Sequence, residues 1–214
     1  ITRVRHTVVS CSITENLPEE TGSQTTEGEV QVSSERIDGV ISKVFRISRS
    51  ACSELFREKK IFVNGRCNEN SSYLLKEGDK ISVWDPIRSK YVAFTPEENV
   101  RQHFVHYLIE SLGYPATHLA NEVPLNLNGL SKRCDTVAYD RQLNARVIVE
   151  YKAPSVPITS NTFAQIARYN LVLKVDYLIV SNGLKHYCVR MDYEKHSYTF
   201  LKEIPSYIDI NSGI

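Results

Sequence analysis

The sequence predicts a mixed α/β (α+β) chain made of two folded modules behind a polar leader, and three observations carry that reading. Apolar residues recur at three-and-four spacing from Ile37 to Phe45, from Val100 to Leu112 and from Asn161 to Leu173, the signature of helices with one buried face. Between them lie short apolar or alternating runs bounded by Asn64-Gly65, Asn128-Gly129 and Asn182-Gly183, which read as strands joined by tight turns. The 214 residues, 42% hydrophobic and 24% charged, suffice for one sizeable core or two small ones. No run approaches the ~18 apolar residues of a membrane helix, and Ile1-Thr2-Arg3-Val4-Arg5 lacks the apolar stretch of a secretory signal, so the expected location is the cytoplasm. Five cysteines, Cys11, Cys52, Cys67, Cys134 and Cys188, form no Cys-x-x-Cys pair, which argues for reduced thiols over a disulfide framework or a zinc site.

Residues 1–33 read as a leading strand, His6 to Ser12, and a linker. The start at Ile1 is that of a processed product or a piece of a longer chain, and the strand is expected to be the last piece of an upstream domain. Thr14 to Gly28 is polar and acidic, with too few apolar residues to offset its ordering entropy, and is expected to be disordered. Lys plus Arg against Asp plus Glu count 2 to 5 in residues 1–33, 10 to 7 in residues 34–83 and 14 to 13 in residues 84–214, so only the middle is distinctly basic.

In residues 34–83 the first helix is followed by a second, Ser50 through Arg57, with Ser48 placed to cap it. The strand Lys60-Ile61-Phe62-Val63 then closes at Asn64-Gly65, and the turn Glu77-Gly78-Asp79 feeds Lys80-Ile81-Ser82-Val83. The order RIDGVISKVFRISRS, helix, KIFVNGR, SSYLLKEGDKISV resembles the ribosomal protein S-four type (alpha-L) RNA-binding domain, and the lead-in VSSERID is most similar to YlmH-type proteins. That resemblance implies that Arg36, Arg46, Ser48, Arg49, Ser50, Lys59, Lys60 and Asn64 meet the backbone of structured RNA, where cationic side chains neutralise phosphates and make affinity depend on salt. A solvated basic face is the plainer alternative. YlmH-type proteins continue into a glycine- and arginine-rich extension, whereas here Val83 runs into Trp84-Asp85-Pro86.

Residues 84–214 open with Thr95-Pro96-Glu97-Glu98, a capping box with proline at the first helical position. Strands follow from Ala120 to Leu127, Arg133 to Tyr139 and Ala145 to Lys152, then the helix to Leu173, then strands at Asp176–Ser181, His186–Asp192 and Ser197–Ile204. Glu150 and Lys152, two apart on a strand, share a face. If Arg141 to Asn144 form the loop, Asp140 pairs with Ala145 and Asp135 falls opposite Glu150. Two carboxylates among Val137, Val147, Ile148 and Val149 repel unless a cation neutralises them, and a hard divalent ion such as Mg2+ (or Mn2+) is the natural choice.

Asp135, fourteen intervening residues, Glu150-x-Lys152, then Gln165-x-x-x-Tyr169 on a helix resembles the PD-(D/E)xK nuclease core as it occurs in the N-terminal domain of type I restriction enzyme R subunits. The flanking text DPIRSKYVAFTPEENVRQHFVHYLI, LNGLSKRCD and FAQIARYNLVLKVDYLIVSNGLKHYC extends the likeness, to small stand-alone members, over residues 85–207. The resemblance implies a restriction-endonuclease-like α/β core with a central mixed sheet, acting on a DNA substrate. It gives Asp135 and Glu150 metal-binding and catalytic roles, Lys152 a catalytic role, and Gln165 and Tyr169 a supporting one. Glu98 matches the acid of the first helix, although its place in the capping box explains it equally well, and the proline of the family name is Cys134 here. His103, His106 and His186 lack metal-like spacing, and Lys132, Arg133 and Arg168 suit either DNA phosphates or a solvated face. Two other readings stay open: a non-catalytic nucleic-acid-binding protein governed by residues 34–83, and a chimeric gene product whose unrelated parts meet between Val83 and Trp84.

Overall fold

The computed structural model describes residues 7–10, 29–45, 47–127 and 129–212. Its contacts form two units, Ile1–Asp85 with Ser89–Thr95, and Pro86–Arg88 with Pro96–Ile214. Among the described residues no helix is long and apolar enough to cross a membrane. Cys52, Cys67, Cys134 and Cys188 are free thiols, and Cys11 lies outside the described residues.

In the first unit β1 (Thr7–Ser10) pairs antiparallel with β2 (Glu29–Val32), Thr7 opposite Val32. The leading strand therefore has a partner within this chain, the alternating Glu29-Val30-Gln31-Val32. The expected linker falls largely outside the described residues. Two helices follow, α1 (Ile37–Phe45) and α2 (Arg49–Arg57), the second capped by Ser48, whose hydroxyl accepts a hydrogen bond from the Ala51 amide at 3.1 Å. They cover an antiparallel sheet of β3 (Ile61–Val63), β4 (Arg66–Cys67), β5 (Ile81–Asp85) and β6 (Lys90–Ala93) in the order β4-β3-β5-β6. Ile37, Val40, Ile41 and Phe45 of α1 meet Cys52, Leu55 and Phe56 of α2 over Ile61, Val63 and Val83. The expected boundary after Val83 does not coincide with this architecture. The strand runs on through Trp84 and Asp85, Pro86 ends it, and the chain returns as β6 with Tyr91 opposite Trp84 and Phe94 stacked on Phe45 at 4.2 Å.

The second unit is built on a mixed six-stranded sheet, order β12-β11-β10-β9-β8-β7. Helix α3 (Pro96–Glu110) leads into the meander β7 (Leu119–Leu127), β8 (Leu130–Tyr139) and β9 (Ala145–Tyr151). Gly129, at φ 81°, belongs to the two-residue turn between β7 and β8, whose other residue, Asn128, lies outside the described residues. Helix α4 (Ser160–Leu173) then crosses over to β10 (Tyr177–Ser181), which pairs parallel with β9, before the antiparallel β11 (His186–Asp192) and β12 (Ser197–Leu201). A short α5 (Tyr207–Asn211), which the sequence pattern does not predict, closes the described chain behind a Ser206/Asp209 capping box.

Side chains of β9 alternate between two cores, so the strand is covered on both faces. Val147, Val149 and Tyr151 join Val100, Phe104 and Leu108 of α3 with Tyr207 and Ile210 of α5, while Ile148 joins Ile166 and Tyr169 of α4. At the turn from β10 to β11, Gly183 has φ 79°, and a Cβ there would lie 3.1 Å from Val100 Cγ2, so glycine lets α3 approach.

Candidate active site

The site lies on the α4 side of β8 and β9, where the meander brings two acids together. Thr136 pairs with Val149 and Val137 with Ile148, so Asp135 and Glu150 each stand one residue beyond the last pair of that ladder. The route differs from the sequence expectation, since Tyr139 rather than Asp140 pairs with Ala145 and the register shifts between Ala138 and Tyr139. Asp140 instead caps the turn, its Oδ1 accepting from the amides of Gln142 and Asn144, both at 2.9 Å. One irregularity at the hairpin end offsets the changed pairing, so the inner register is the expected one.

Each functional side chain is held by neighbours. The Tyr151 amide donates to Asp135 Oδ2 at 2.7 Å, and an Arg101 guanidinium nitrogen lies 3.2 Å from Asp135 Oδ1. Glu150 Oε1 accepts from Lys152 Nζ at 2.8 Å and from Gln165 Nε2 at 2.7 Å, whereas the buried Glu150 Oε2 has no hydrogen-bond partner among the described residues. Gln165 Nε2 also lies 3.2 Å from the Tyr169 hydroxyl, so the pair four apart on α4 acts as one bracket for Glu150. Tyr169 is buried, and it reaches the carboxylate only through Gln165.

Burial, then repulsion from Asp135, pushes the Glu150 carboxyl up to about 8. Burial also raises Asp135, against the pull of the Arg101 charge and the Tyr151 amide. Burial disfavours the ammonium of Lys152, but the charge and hydrogen bond of Glu150 outweigh it and hold the lysine protonated.

The acid of the first helix is engaged by arginines. Glu98 has its Oε2 2.7 Å from Arg88 and 2.9 Å from Arg101, the arginine that also meets Asp135, and its Oε1 accepts from Gln102 at 3.0 Å. Its neighbour Glu97 is the residue that senses the site, pushed up to about 7 by burial and then by the charge of Asp135, with Lys152 opposing. Helical geometry is the cause, because consecutive residues point about 100° apart and only one of the two can face the sheet ends. The sequence held a clue in the capping box, which gives Glu98 a local role and leaves Glu97 without one.

The remaining candidates stand apart. His186 Nδ1 is 2.8 Å from Ser181 Oγ, and among the described residues no three His, Cys, Asp or Glu side chains are gathered so as to hold a metal by themselves. Lys132, Arg133 and Arg168 are exposed. In the first unit Arg36 pairs with Asp38 at 2.7 Å, Lys59 with Glu69 at 3.0 Å and Lys60 with Glu58 at 2.6 Å. Asn64 is bonded to Asp79 at 2.7 Å and to the Lys80 amide at 3.0 Å, and the hydroxyls of Ser48 and Ser50 are 2.8 Å apart. Arg49 is exposed, and Arg46 lies outside the described residues.

Residues 96–205, just over half of the chain, match the family model described as "Type I restriction enzyme R protein N terminus (HSDR_N)". The chain belongs to this family. Its matched segment begins at the first residue of α3 and contains every residue of the site described above except Arg88. Among solved structures it is similar to a fragment described as an HsdR subunit of a type I restriction enzyme from Vibrio vulnificus YJ016, at 17% identity and TM-score 0.42. That alignment covers 53% of this chain and 24% of the other. No curated protein matches the chain. The second unit thus carries the restriction-enzyme R-protein N-terminal domain, and its α/β architecture is consistent with a restriction-endonuclease-like fold.

Proposed function

We propose that the second unit of this R-protein family member is a PD-(D/E)xK-type endonuclease that hydrolyses DNA phosphodiester bonds with Mg2+ or Mn2+. The observation that carries the reading is the buried Glu150 carboxylate, incompletely compensated, in one site with the part-buried Asp135 and hydrogen-bonded to Lys152. Glu150 Oε2 has no hydrogen-bond partner among the described residues, and the raised Glu97 and Glu150 point to acids crowded beyond what Lys152 and Arg101 offset. The donor set is all oxygen, which suits a hard divalent ion that completes its shell with water. Asp135 and Glu150 would hold it, with Glu97 in support. Such an ion polarises a phosphate oxygen and acidifies a water.

The chain's own groups do the rest. Lys152, kept protonated by Glu150, supplies positive charge for the attacked phosphate and is no general base in this state. Gln165 and Tyr169 fix the Glu150 carboxylate, and the Tyr151 amide fixes Asp135. The test is supercoiled plasmid incubated with wild type and with Asp135→Ala, Glu150→Ala or Lys152→Ala in Mg2+ or Mn2+. The expected result is nicking by wild type and a drop of roughly a hundredfold or more in each variant. Equal nicking by all four proteins would overturn the reading and favour a binding protein without catalysis.

We infer a second, separable role for the first unit, weak binding of structured RNA by an S-four-like face. Its support is the order of two helices over a small sheet, with exposed Arg49, Lys59 and Lys60. Arg49→Glu with Lys60→Glu is expected to weaken binding and to flatten its salt dependence by roughly one unit for each phosphate that is no longer neutralised. Gel shifts at two salt concentrations decide, and affinity indifferent to both salt and charge reversal would reject this face.

A further inference from the structure

Arg101 is 5% exposed, yet its guanidinium meets three carboxylates from three elements. One terminal nitrogen lies 2.9 Å from Glu98 Oε2 on its own helix and 2.7 Å from Glu122 Oε1 on β7, and the other lies 3.2 Å from Asp135 Oδ1 on β8. The same group sits 5.8 Å from the ring centre of Tyr151, the residue whose amide holds the second oxygen of Asp135. Asp135 is thus gripped at both oxygens, by a backbone donor and by a buried cation. The cation is itself anchored from behind, since Arg88 reaches Glu98 at 2.7 Å and Glu122 at 3.7 Å.

Glu122 adds a second, independent observation. The β7 ladder pairs Asn121 with Thr136 and Val123 with Cys134, passing over Glu122 on one strand and Asp135 on the other. Glu122 has φ 57°, a left-handed conformation that residues other than glycine, asparagine and aspartate seldom adopt. From this backbone conformation its carboxylate reaches Arg101 at 2.7 Å. A planar fork with several donors can hold three acids at once, which the point charge of a lysine cannot.

We propose that Arg101 is a positioning residue, anchored by Glu122, that orients the Asp135 carboxylate and thereby sets the affinity of the site for its divalent cation. The proposal rests on the metal-dependent reading above and goes beyond it by assigning residues that touch neither the cation nor DNA. A merely structural tie between α3 and the sheet would change melting but leave metal affinity alone.

Full-length wild type, Arg101→Lys and Glu122→Gln are titrated with Mn2+, free ion being counted by electron paramagnetic resonance well below each protein's melting temperature, with Asp135→Asn as the reference for a missing ligand. Arg101→Lys keeps the charge but removes the fork, and Glu122→Gln keeps Arg101 and nearly the same shape, so at least one folded variant is available, as circular dichroism checks. Arg101→Lys is expected to weaken Mn2+ binding by about tenfold or more and Glu122→Gln by less. The double variant should be little worse than Arg101→Lys alone, because both act through one chain of interactions. Wild-type affinity in both single variants would overturn the proposal while leaving the metal reading intact. A wild type that binds no Mn2+ would overturn both.

Discussion

Two arginines of the second unit, Arg101 and Arg146, each stand among aspartates, yet the acids beside them are driven in opposite directions. Asp140, 3.0 Å from Arg146, is buried, which raises its pKa, but the Asn144 and Gln142 amides and the arginine more than reverse this and hold it below the ordinary carboxylate range. Asp135, beside Arg101, and Glu150 on the next strand are raised. Burial is the largest cause at Asp135 and Glu150, and the count of donors adds to the difference. Asp140 Oδ1 takes two turn amides, while Asp135 has one amide and Glu150 Oε2 has no hydrogen-bond partner among the described residues.

The comparison breaks first at Asp140. Asp140→Ala removes the acceptor of the 140–144 turn and a partner of Arg146, and is expected to destabilise the protein by about 3 kcal/mol, read as a lower denaturant midpoint. Glu98→Gln should cost about 2 kcal/mol, because it weakens the counter-charge of the nearly buried Arg101, whereas Glu97→Gln should leave metal-free stability almost unchanged and weaken the response to Mg2+. Equal effects from these neighbours would show that helix facing does not separate their roles. Glu150→Gln removes repulsion along with an ion pair and should move metal-free stability by less than about 1 kcal/mol while abolishing cleavage.

The smallest effect concerns acid. Because folding lowers the pKa of Asp140, its contribution is fully present above its unfolded value of about 3.9 and disappears as pH falls through the folded value. Asp140→Asn should therefore flatten the acid limb of a stability-against-pH curve below about pH 4. An unchanged limb would mean that other carboxylates carry it.

Much of this was legible in the sequence because periodicity reports burial directly. The alternation of Val147, Ile148, Val149 and Glu150 marks a strand covered on both sides, and the stripe Val100, Phe104, Leu108 marks the inner face of α3. A loop count gave the inner pairing of β8 with β9, and Thr136 against Val149 keeps it despite a register shift that no residue pattern announces. Three features were hidden for physical reasons. The left-handed Glu122 runs against the residue's own preference, which a propensity argument cannot anticipate. The choice of Glu97 over Glu98 depends on the rotational setting of α3, fixed by packing. The end of the first unit was misplaced because Trp84-Asp85-Pro86 looks like a strand stop, and only the cross-strand pairing of Trp84 with Tyr91 shows the sheet continuing. Helix α5, five residues long, is too short to show an apolar period, and its Ser206/Asp209 capping box becomes evident only in the structure.

The central claim is that Asp135 and Glu150 are held short of compensation so that a divalent cation can complete them. Thermal melting of wild type and Glu150→Gln, each in chelator and in saturating Mn2+, tests this most directly. A ligand that binds only the folded state stabilises by mass action, so wild type should gain several degrees in Mn2+ and Glu150→Gln essentially none. Equal gains in both proteins, or none in wild type, would contradict the account.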